Sequence, residues 1–446
     1  MKKEVVIMIF FMIVLFVSCK KNSSIDPNNN YSDSINNNSR PNIIFIIADD
    51  LGWDAFGNYP NITSTKAITP TLDSLARNGI TFTNYWVTPL CTPTRAALLT
   101  GRYGFRTGVG GINPALDYLH NTETIIHKYL TDYTGNAYAT ALIGKWHVTG
   151  PTDLSAPENF GIQYFLGYTG GEVSDYYNWT QVSGGAQQNI TTYATTYFVN
   201  KSIDWIQQQI KPFFLWLAFN APHMPFHRPP LNLISDQSLV SDTAVINLNP
   251  LPYYLAAIEA MDKEIARLIA SLTPEQKSNT IFFFMGDNGT PTQVAQRPFL
   301  LGRAKGYLYQ GGINTPLIIA GKNVARVGQT DTSLVNTTDM FSTIADMAGT
   351  GVSVYEDGKS IKPLLSSSQA NFNNYVYTEQ FDNIPGNADG YAIRNVSYKL
   401  IHLDNGTEYF YHITTDPFER TNLLLNALSA EADQNLSQLR LYKSQL

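Results

Sequence analysis

The sequence predicts an α/β layered fold with a large, mostly parallel central sheet, followed by a small C-terminal antiparallel sheet with a helix. Three observations predict it. Continuous apolar runs of strand length recur along the chain. Helical patterns separate them. The last stretch changes to short alternating strands around a hairpin turn.

Ile43-Ile44-Phe45-Ile46-Ile47 is an unbroken apolar run, as expected of a strand buried on both faces of a parallel sheet. Ala139 to Ile143, Phe213 to Phe219, Ile281 to Met285 and Pro316 to Ala320 read the same way. Thr69-Pro70 predicts a helix start, with Thr69 as N-cap, Leu72, Leu75 and Ala76 as the apolar face and Gly79 as the stop. Further helical patterns lie at Thr122 to Leu130, Tyr197 to Gln209, Leu255 to Ser271 and Asp339 to Met347. Strands alternating with helices give a layered α/β domain. Beyond it, Tyr375 to Thr378, Tyr391 to Arg394, Lys399 to Leu403 and Glu408 to His412 alternate, and Asn405-Gly406 is a hairpin signal. A last helix is expected near Asn422 to Leu441.

The N-terminus reads as a targeting segment. Lys2 and Lys3 precede an apolar stretch, Val5 to Val17, too short to span a bilayer comfortably. Leu15-Phe16-Val17-Ser18-Cys19 resembles a bacterial lipobox, and the resemblance implies lipidation at Cys19. Residues 20–40 are rich in Asn, Ser and Asp, with almost nothing to bury, and are expected to act as a flexible tether. The expected organisation is a lipoprotein signal peptide at 1–19, the tether at 20–40, the α/β domain at 41–368 and an α+β subdomain at 369–446. The expected location is the bacterial periplasm or cell surface, with secretion as the alternative.

The net charge of -6 argues against a general nucleic-acid binder, although a local cation cluster can still serve an anionic substrate. Only two cysteines occur, Cys19 and Cys91. Their contexts differ, so a structural disulfide is not expected, and a lone internal thiol in an exported chain singles out Cys91.

In open α/β sheets, ligands collect beyond the carboxyl ends of the strands. Asp49-Asp50 and Asp287-Asn288 each follow an apolar run. Adjacent carboxylates repel and need a cation, and hard oxygen ligands suit Ca²⁺ or Mg²⁺. Asp49 and Asp50 converge only if the chain bends there, since neighbours in a strand point to opposite faces. Cys91 lies at the start of a short helix ending at Gly101, where the helix dipole favours an anion, and Arg95 returns to the same side one turn later. Lys145 and His147 follow another strand, His223 follows Phe213 to Phe219, and Lys305 lies in Gly302-Arg303-Ala304-Lys305-Gly306.

Cys91-Thr92-Pro93-Thr94-Arg95, followed by Leu99-Thr100-Gly101-Arg102, resembles the maturation signature of type I sulfatases, of the alkaline phosphatase-like superfamily. The other motifs occur in the family's order: Ala48-Asp49-Asp50-Leu51-Gly52-Trp53, Gly144-Lys145-Trp146-His147, Pro222-His223, Gly286-Asp287-Asn288-Gly289 and Lys305-Gly306 ahead of Gly311-Gly312. Tyr398 to Ile401 and Asp416 to Arg420 resemble the family's C-terminal end, so the resemblance spans about Asn42 to Leu424. It implies a sulfatase catalytic domain at 41–368, with Cys91 oxidised to formylglycine by a formylglycine-generating or sulfatase-maturating enzyme. Asp49, Asp50, Asp287 and Asn288, with residue 91, would bind Ca²⁺. Arg95 and Lys145 would hold the formylglycine hydrate, His147 would contact its second hydroxyl, and His223 and Lys305 would bind the sulfate and the leaving oxygen. Gln310 and Asn314 depart from the Glu and Arg common there.

The stretch from Cys91 to Arg106 and the Asp175-Tyr176-Tyr177 segment look most like the N-acetylgalactosamine-4-sulfatase (arylsulfatase B) branch. The resemblance implies hydrolysis of a sulfated polysaccharide or glycosaminoglycan fragment. Tyr176 and Tyr177, as aromatic rings with polar tips, are candidates for stacking on a sugar. His227 and Arg228 are candidates for its carboxylate or a second sulfate. Two other readings stay open: a phosphodiester or phosphonate monoester hydrolase of the same superfamily, and a non-catalytic lipoprotein that captures sulfated glycans.

Overall fold

The structure is a computed structural model that describes residues 40–446 other than 58, 114–116, 301, 370–371 and 382–388. The signal peptide, Cys19 and nearly all of the expected tether lie outside the described residues. Among the described residues no helix is long and apolar enough to cross a membrane.

The strands are β1 (Asn42–Ala48), β2 (Gly79–Phe82), β3 (Tyr85–Trp86), β4 (Ala139–Lys145), β5 (Tyr164–Tyr168), β6 (Trp179–Ser183), β7 (Ala186–Ile190), β8 (Phe213–Ala218), β9 (Thr280–Gly286), β10 (Leu317–Gly321), β11 (Gln329–Asp331), β12 (Val335–Asn336), β13 (Val354–Tyr355) and β14 (Gly358–Lys359), then β15 (Val376–Gln380), β16 (Gly390–Arg394), β17 (Tyr398–Leu403) and β18 (Glu408–His412). The main sheet runs β11-β2-β10-β9-β1-β8-β4-β5-β6-β7. Its centre, β9-β1-β8-β4-β5, is parallel. The apolar runs form this centre because each strand is covered on both faces. Ile43, Phe45 and Ile47 pack under the helices Cys91–Thr100, Ile126–Tyr133 and Asp339–Met347. Ile44, Ile46 and Ala48 pack under Pro70–Arg77, Ala194–Ile206 and Leu251–Ser271.

Several expectations shift. The run expected from Pro316 starts at Leu317 and is antiparallel to both of its neighbours; an apolar run encodes burial and not direction. Gly79 does not simply stop the first helix. It opens β2, where an added Cβ would lie 2.4 Å from the Ile319 carbonyl oxygen. Thr69 makes no side-chain cap. The Asp262 carboxylate caps that helix instead, accepting from Thr71 N–H (3.1 Å) and Leu72 N–H (2.7 Å), a contribution of roughly 1 kcal/mol. The helix expected from Thr122 begins at Ile126, and the last helix is Ala430–Ser444.

The C-terminal sheet, β15-β16-β17-β18, is antiparallel throughout. Val376, Ala392, Ile401 and Tyr411 pack on Trp86, Leu308 and Ile313. The other face meets Ala432, Leu436 and Leu439 of the last helix. Between this sheet and the loop carrying Lys305 lies a buried ion pair: Lys399 Nζ meets Glu419 Oε1 at 2.5 Å and the Leu308 carbonyl at 2.7 Å. Glu419 Oε2 accepts from Gln310 N–H at 2.7 Å.

His127, in the helix Ile126–Tyr133, is fully buried against Phe214 and Trp216. Neither ring nitrogen makes a well-formed hydrogen bond, and the Ala141 backbone offsets burial only in part. Burial pushes its pKa down to about 3, so the folded protein binds fewer protons there than the unfolded chain. Its contribution is complete above about pH 6.5 and is lost as pH falls toward 3. Between pH 6.5 and 4.5 the wild type should lose about 2–3 kcal/mol more stability than His127→Leu. Urea unfolding at both pH values tests this; parallel pH profiles would refute it.

Candidate active site

The site lies where the central strands end. Asp49 and Asp50 follow β1, Lys145 ends β4 and His147 follows it, His223 follows β8, and Asp287 and Asn288 follow β9. The bend required at Asp49-Asp50 is present: Asp50 has φ of 72°. Two contacts hold it there. Asp50 N–H donates to Asp287 Oδ1 (3.0 Å), and the Tyr254 hydroxyl donates to the Asp50 carbonyl (2.7 Å). Thr290 accepts from Gly52 N–H and donates to the buried Asp54 carboxylate, fixing the turn from below.

Cys91 is the first residue of the helix Cys91–Thr100, which ends at Gly101 in the left-handed region. Its Sγ lies 3.3 Å from His147 Nδ1. Thr92 Oγ1 lies 3.2 Å from the same nitrogen. Burial pushes the Cys91 thiol up, with Lys145 and Lys305 opposing, so the unmodified side chain is a thiol and not a poised thiolate. Burial, then Lys145 and Arg95, push His147 well below its ordinary range, so the ring is neutral. His147 itself has φ of 53°. Gly171 lets the chain pass the ring closely: a Cβ there would lie 2.6 Å from His147 Nε2.

Three carboxylates meet three cations. Lys145 Nζ is 2.6 Å from Asp49 Oδ2, Lys305 Nζ is 2.6 Å from Asp50 Oδ1, and Arg95 Nη2 is 2.7 Å from Asp287 Oδ2. Arg95 Nε also donates to Asp287 Oδ2 (3.1 Å), and Nη1 donates to the Lys145 carbonyl (3.1 Å). Burial raises the Asp50 pKa, but Lys305 and His223 outweigh it and hold the carboxyl below its ordinary range. Burial and Asp49 push Asp287 up against the pull of Arg95 and Lys145. The three carboxylates and three cations balance formally, and it is burial first that still penalises the Asp287 carboxylate.

The residues fit a divalent cation. Asp49 Oδ1, 3.8 Å from Arg95 Nη2, and Asn288 Oδ1 are buried acceptors without a hydrogen-bond partner, and buried acceptors are normally paired. Asn288 Nδ2 donates to Asp50 Oδ1 at 2.7 Å, which leaves its oxygen as the free atom. Ligand atoms of Asp49, Asp50 and His223 lie within 4.8 Å of one another. All four expected oxygen-bearing residues are thus brought together. His223, expected just past the Phe213 to Phe219 run, lies beside them. Asn220 was missed. It is 2% exposed, with neither side-chain polar atom paired, and its only sequence signal is its place after an apolar run.

Two candidates for sugar contact are corrected. Tyr176 is 1% exposed, and its hydroxyl donates to the Asn220 (2.7 Å) and His223 (2.8 Å) carbonyls. Its ring stacks on His227 at 3.9 Å. His227 is also engaged, through Nδ1 with the Pro225 carbonyl and Nε2 with the Tyr193 hydroxyl, and burial lowers its pKa to about 4. These two side chains buttress the His223 segment because the loop folds inward. Tyr177 stays 38% exposed, with its hydroxyl on the Arg228 carbonyl. Arg228 is half-buried and reaches the Leu239 carbonyl at 3.3 Å. A cavity of about 240 Å³ opens beside the centre, lined by Thr92, Asn113, Tyr118, His147, Thr149 and Gly171 among others.

Lys145 and Asp49 are both fully buried. Removing one partner of such a pair strands the other. Lys145→Met should cost about 3–5 kcal/mol in urea unfolding, and adding Asp49→Asn should recover most of it. Strict additivity of the two single changes would show that the pair is not coupled.

A family model described as Sulfatase matches residues 41–350, and one described as N-sulphoglucosamine sulphohydrolase, C-terminal, matches 303–445. Arylsulfatase A of Homo sapiens is 28% identical over 91% of this chain and 88% of its own length. N-acetylgalactosamine-6-sulfatase of Homo sapiens is 25% identical over 90% and 84%. The fold is similar to that of Ps i-CgsB in complex with k-i-k-neocarrahexaose, with a TM-score of 0.75 and 24% identity over 90% of this chain and 92% of that one. The strand-end cluster around Cys91 therefore sits in a chain that belongs to the sulfatase family and is a sulfuric ester hydrolase.

Proposed function

We propose that this protein removes sulfate from a sulfated carbohydrate, a polysaccharide or glycosaminoglycan fragment, with residue 91 converted to formylglycine and Ca²⁺ held by Asp49, Asp50, Asp287 and Asn288. The observation that carries the reading is the neutralised cluster of three carboxylates and three cations around Cys91. A divalent cation there would add two positive charges to a balanced set, which suits an anionic ester and the charge that grows during attack. Formylglycine supplies an aldehyde hydrate with two hydroxyls, one for attack on sulfur and one whose deprotonation lets the carbon–oxygen bond break and sulfate leave. The raised Cys91 thiol fits a role as precursor better than as nucleophile.

The chain's own residues then divide the work. Arg95 and Lys145 hold residue 91 and offset negative charge beside it. Neutral His147, 3.3 Å from the position-91 side chain, accepts the proton of the second hydroxyl. His223 and Lys305 lie at Asp50, where they bind sulfate oxygens and deliver a proton to the leaving sugar oxygen. The cavity beside His147 is the room for that sugar. Relatives named for N-acetylgalactosamine-6-sulfate and a fold relative bound to a neocarrahexaose support a carbohydrate substrate. The same reading includes a maturation enzyme as partner and export with a lipid anchor at Cys19.

The test uses protein from a host that carries a maturation enzyme. The peptide spanning Cys91 should be lighter by about 18 Da than the thiol form. Aryl sulfate should be cleaved faster than aryl phosphate, and Cys91→Ala should lower the rate by at least about 10³-fold. An intact thiol together with full activity would contradict the mechanism. A preference for phosphate esters would favour the phosphodiesterase reading, and absence of any hydrolysis would favour a glycan-capturing lipoprotein.

A further inference from the structure

Asn220 lies just past β8, between the ends of β1 and β4 in the sheet order. An unpaired buried amide is costly, so its neighbours decide what it is for. Pairing in register ends at Ala218: Phe219 N–H donates to the Ile47 carbonyl (3.0 Å), but Asp49 N–H donates to the Ala221 carbonyl (3.1 Å) and not to that of Phe219. Asn220 therefore sits in a bend between Phe219 and Ala221, beside Asp49, and both of those neighbours pack on the other face. Ala218 packs on the face covered by the helix Cys91–Thr100, and Phe219 packs on the other. Alternation returns Asn220 to the face of Cys91 and Arg95. Its carbonyl is pinned by the Tyr176 hydroxyl (2.7 Å) and by His223 N–H (2.9 Å). Three neighbouring strand ends thus carry an orphaned buried acceptor: Asn288 after β9, Asp49 after β1 and Asn220 after β8. Asn220 alone among them also has an orphaned donor.

We propose that Asn220 is a further substrate-binding residue, whose Nδ2–H donates to an anionic oxygen of the sulfate ester; this rests on the sulfatase reading above. The oxygen ligands for a cation come from the ends of β1 and β9. Asn220 stands on the other side of β1, toward Lys145 and His147, where the anion belongs. A neutral amide adds a directed donor there without adding charge to a site already rich in cations.

Asn220→Ala and the isosteric Asn220→Asp, matured like the wild type, are compared in three measurements: aryl sulfate kinetics, inhibition by inorganic sulfate, and the Ca²⁺ dependence of melting. In Asn220→Ala, kcat/KM should fall about 10²-fold, and in Asn220→Asp further, because a carboxylate repels sulfate. The sulfate inhibition constant should rise in the same order, with the Ca²⁺ midpoint of Asn220→Ala unchanged. Equal kinetics in all three proteins would overturn the proposal. So would an Asp variant that outperforms Ala and binds Ca²⁺ more tightly, the signature of a cation ligand. If the Ala variant does not fold, the Asp variant decides alone. Failure of the matured wild type to cleave aryl sulfate would strike the parent reading. Calorimetric binding of inorganic sulfate then judges Asn220 by itself: weaker binding in Asn220→Asp supports the proposal, and unchanged binding refutes it.

Discussion

Three carboxylates buried at adjacent strand ends are the constraint on which the rest of this structure depends. Asp49, Asp50 and Asp287 are at most 1% exposed, and charges in such a place are tolerated only when paired. The protein answers with Lys145, Arg95 and Lys305, each drawn from a different part of the chain. Lys145 comes from the end of β4, Arg95 from the helix that starts at Cys91, and Lys305 from the loop before Gln310. The fold brings these segments together because its apolar strands stop at one edge. The chemistry begins where the apolar runs end.

The C-terminal sheet takes part in this balance at one remove. Lys305 lies in a loop whose later residues are tied to that sheet through Leu308, Gln310, Lys399 and Glu419. Arg303, two residues before Lys305, donates to the Phe418 and Glu419 carbonyls. Gln310, which departs from the family's common Glu, accepts from Trp86 Nε1 at 3.1 Å and joins the same network. Burial lowers the Lys399 pKa to about 8 even with Glu419 opposing. The interface is thus ordered by polar contacts as well as by the apolar face around Trp86, and its geometry sets where Lys305 can stand.

Much of this was legible in the sequence, for physical reasons that also mark where legibility stops. The β1, β4, β8 and β9 runs announce themselves because strands covered on both faces must be apolar throughout. The helix Asp339–Met347 and the strand Glu408–His412 fall where their patterns place them. β7 (Ala186–Ile190) is mostly exposed and reads Ala-Gln-Gln-Asn-Ile, so no pattern marks it. β11 is too short to have one. The antiparallel course of β10 leaves no trace in composition. At the site, paired carboxylates and the Cys91–Arg95 spacing stand out because few other jobs need them. Tyr176 misled, since an aromatic with a polar tip serves equally to stack on a sugar and to brace a loop. Its inward course became visible only with the two carbonyls it holds. Asn220 stayed silent because a single amide has no spacing partner.

Binding of Ca²⁺ to the matured wild type and to Asp287→Asn, read by calorimetry and by melting, tests the central claim most directly. The buried oxygens of Asp49 and Asn288 that lack a hydrogen-bond partner lead one to expect one Ca²⁺ per chain in the wild type. At a free concentration of 100 times the dissociation constant, stability should rise by about 2.7 kcal/mol. In Asp287→Asn the affinity should fall by at least tenfold, about 1.4 kcal/mol. A wild type whose melting ignores both Ca²⁺ and chelator, with no binding heat, would contradict the claim that these strand ends are built to hold a cation.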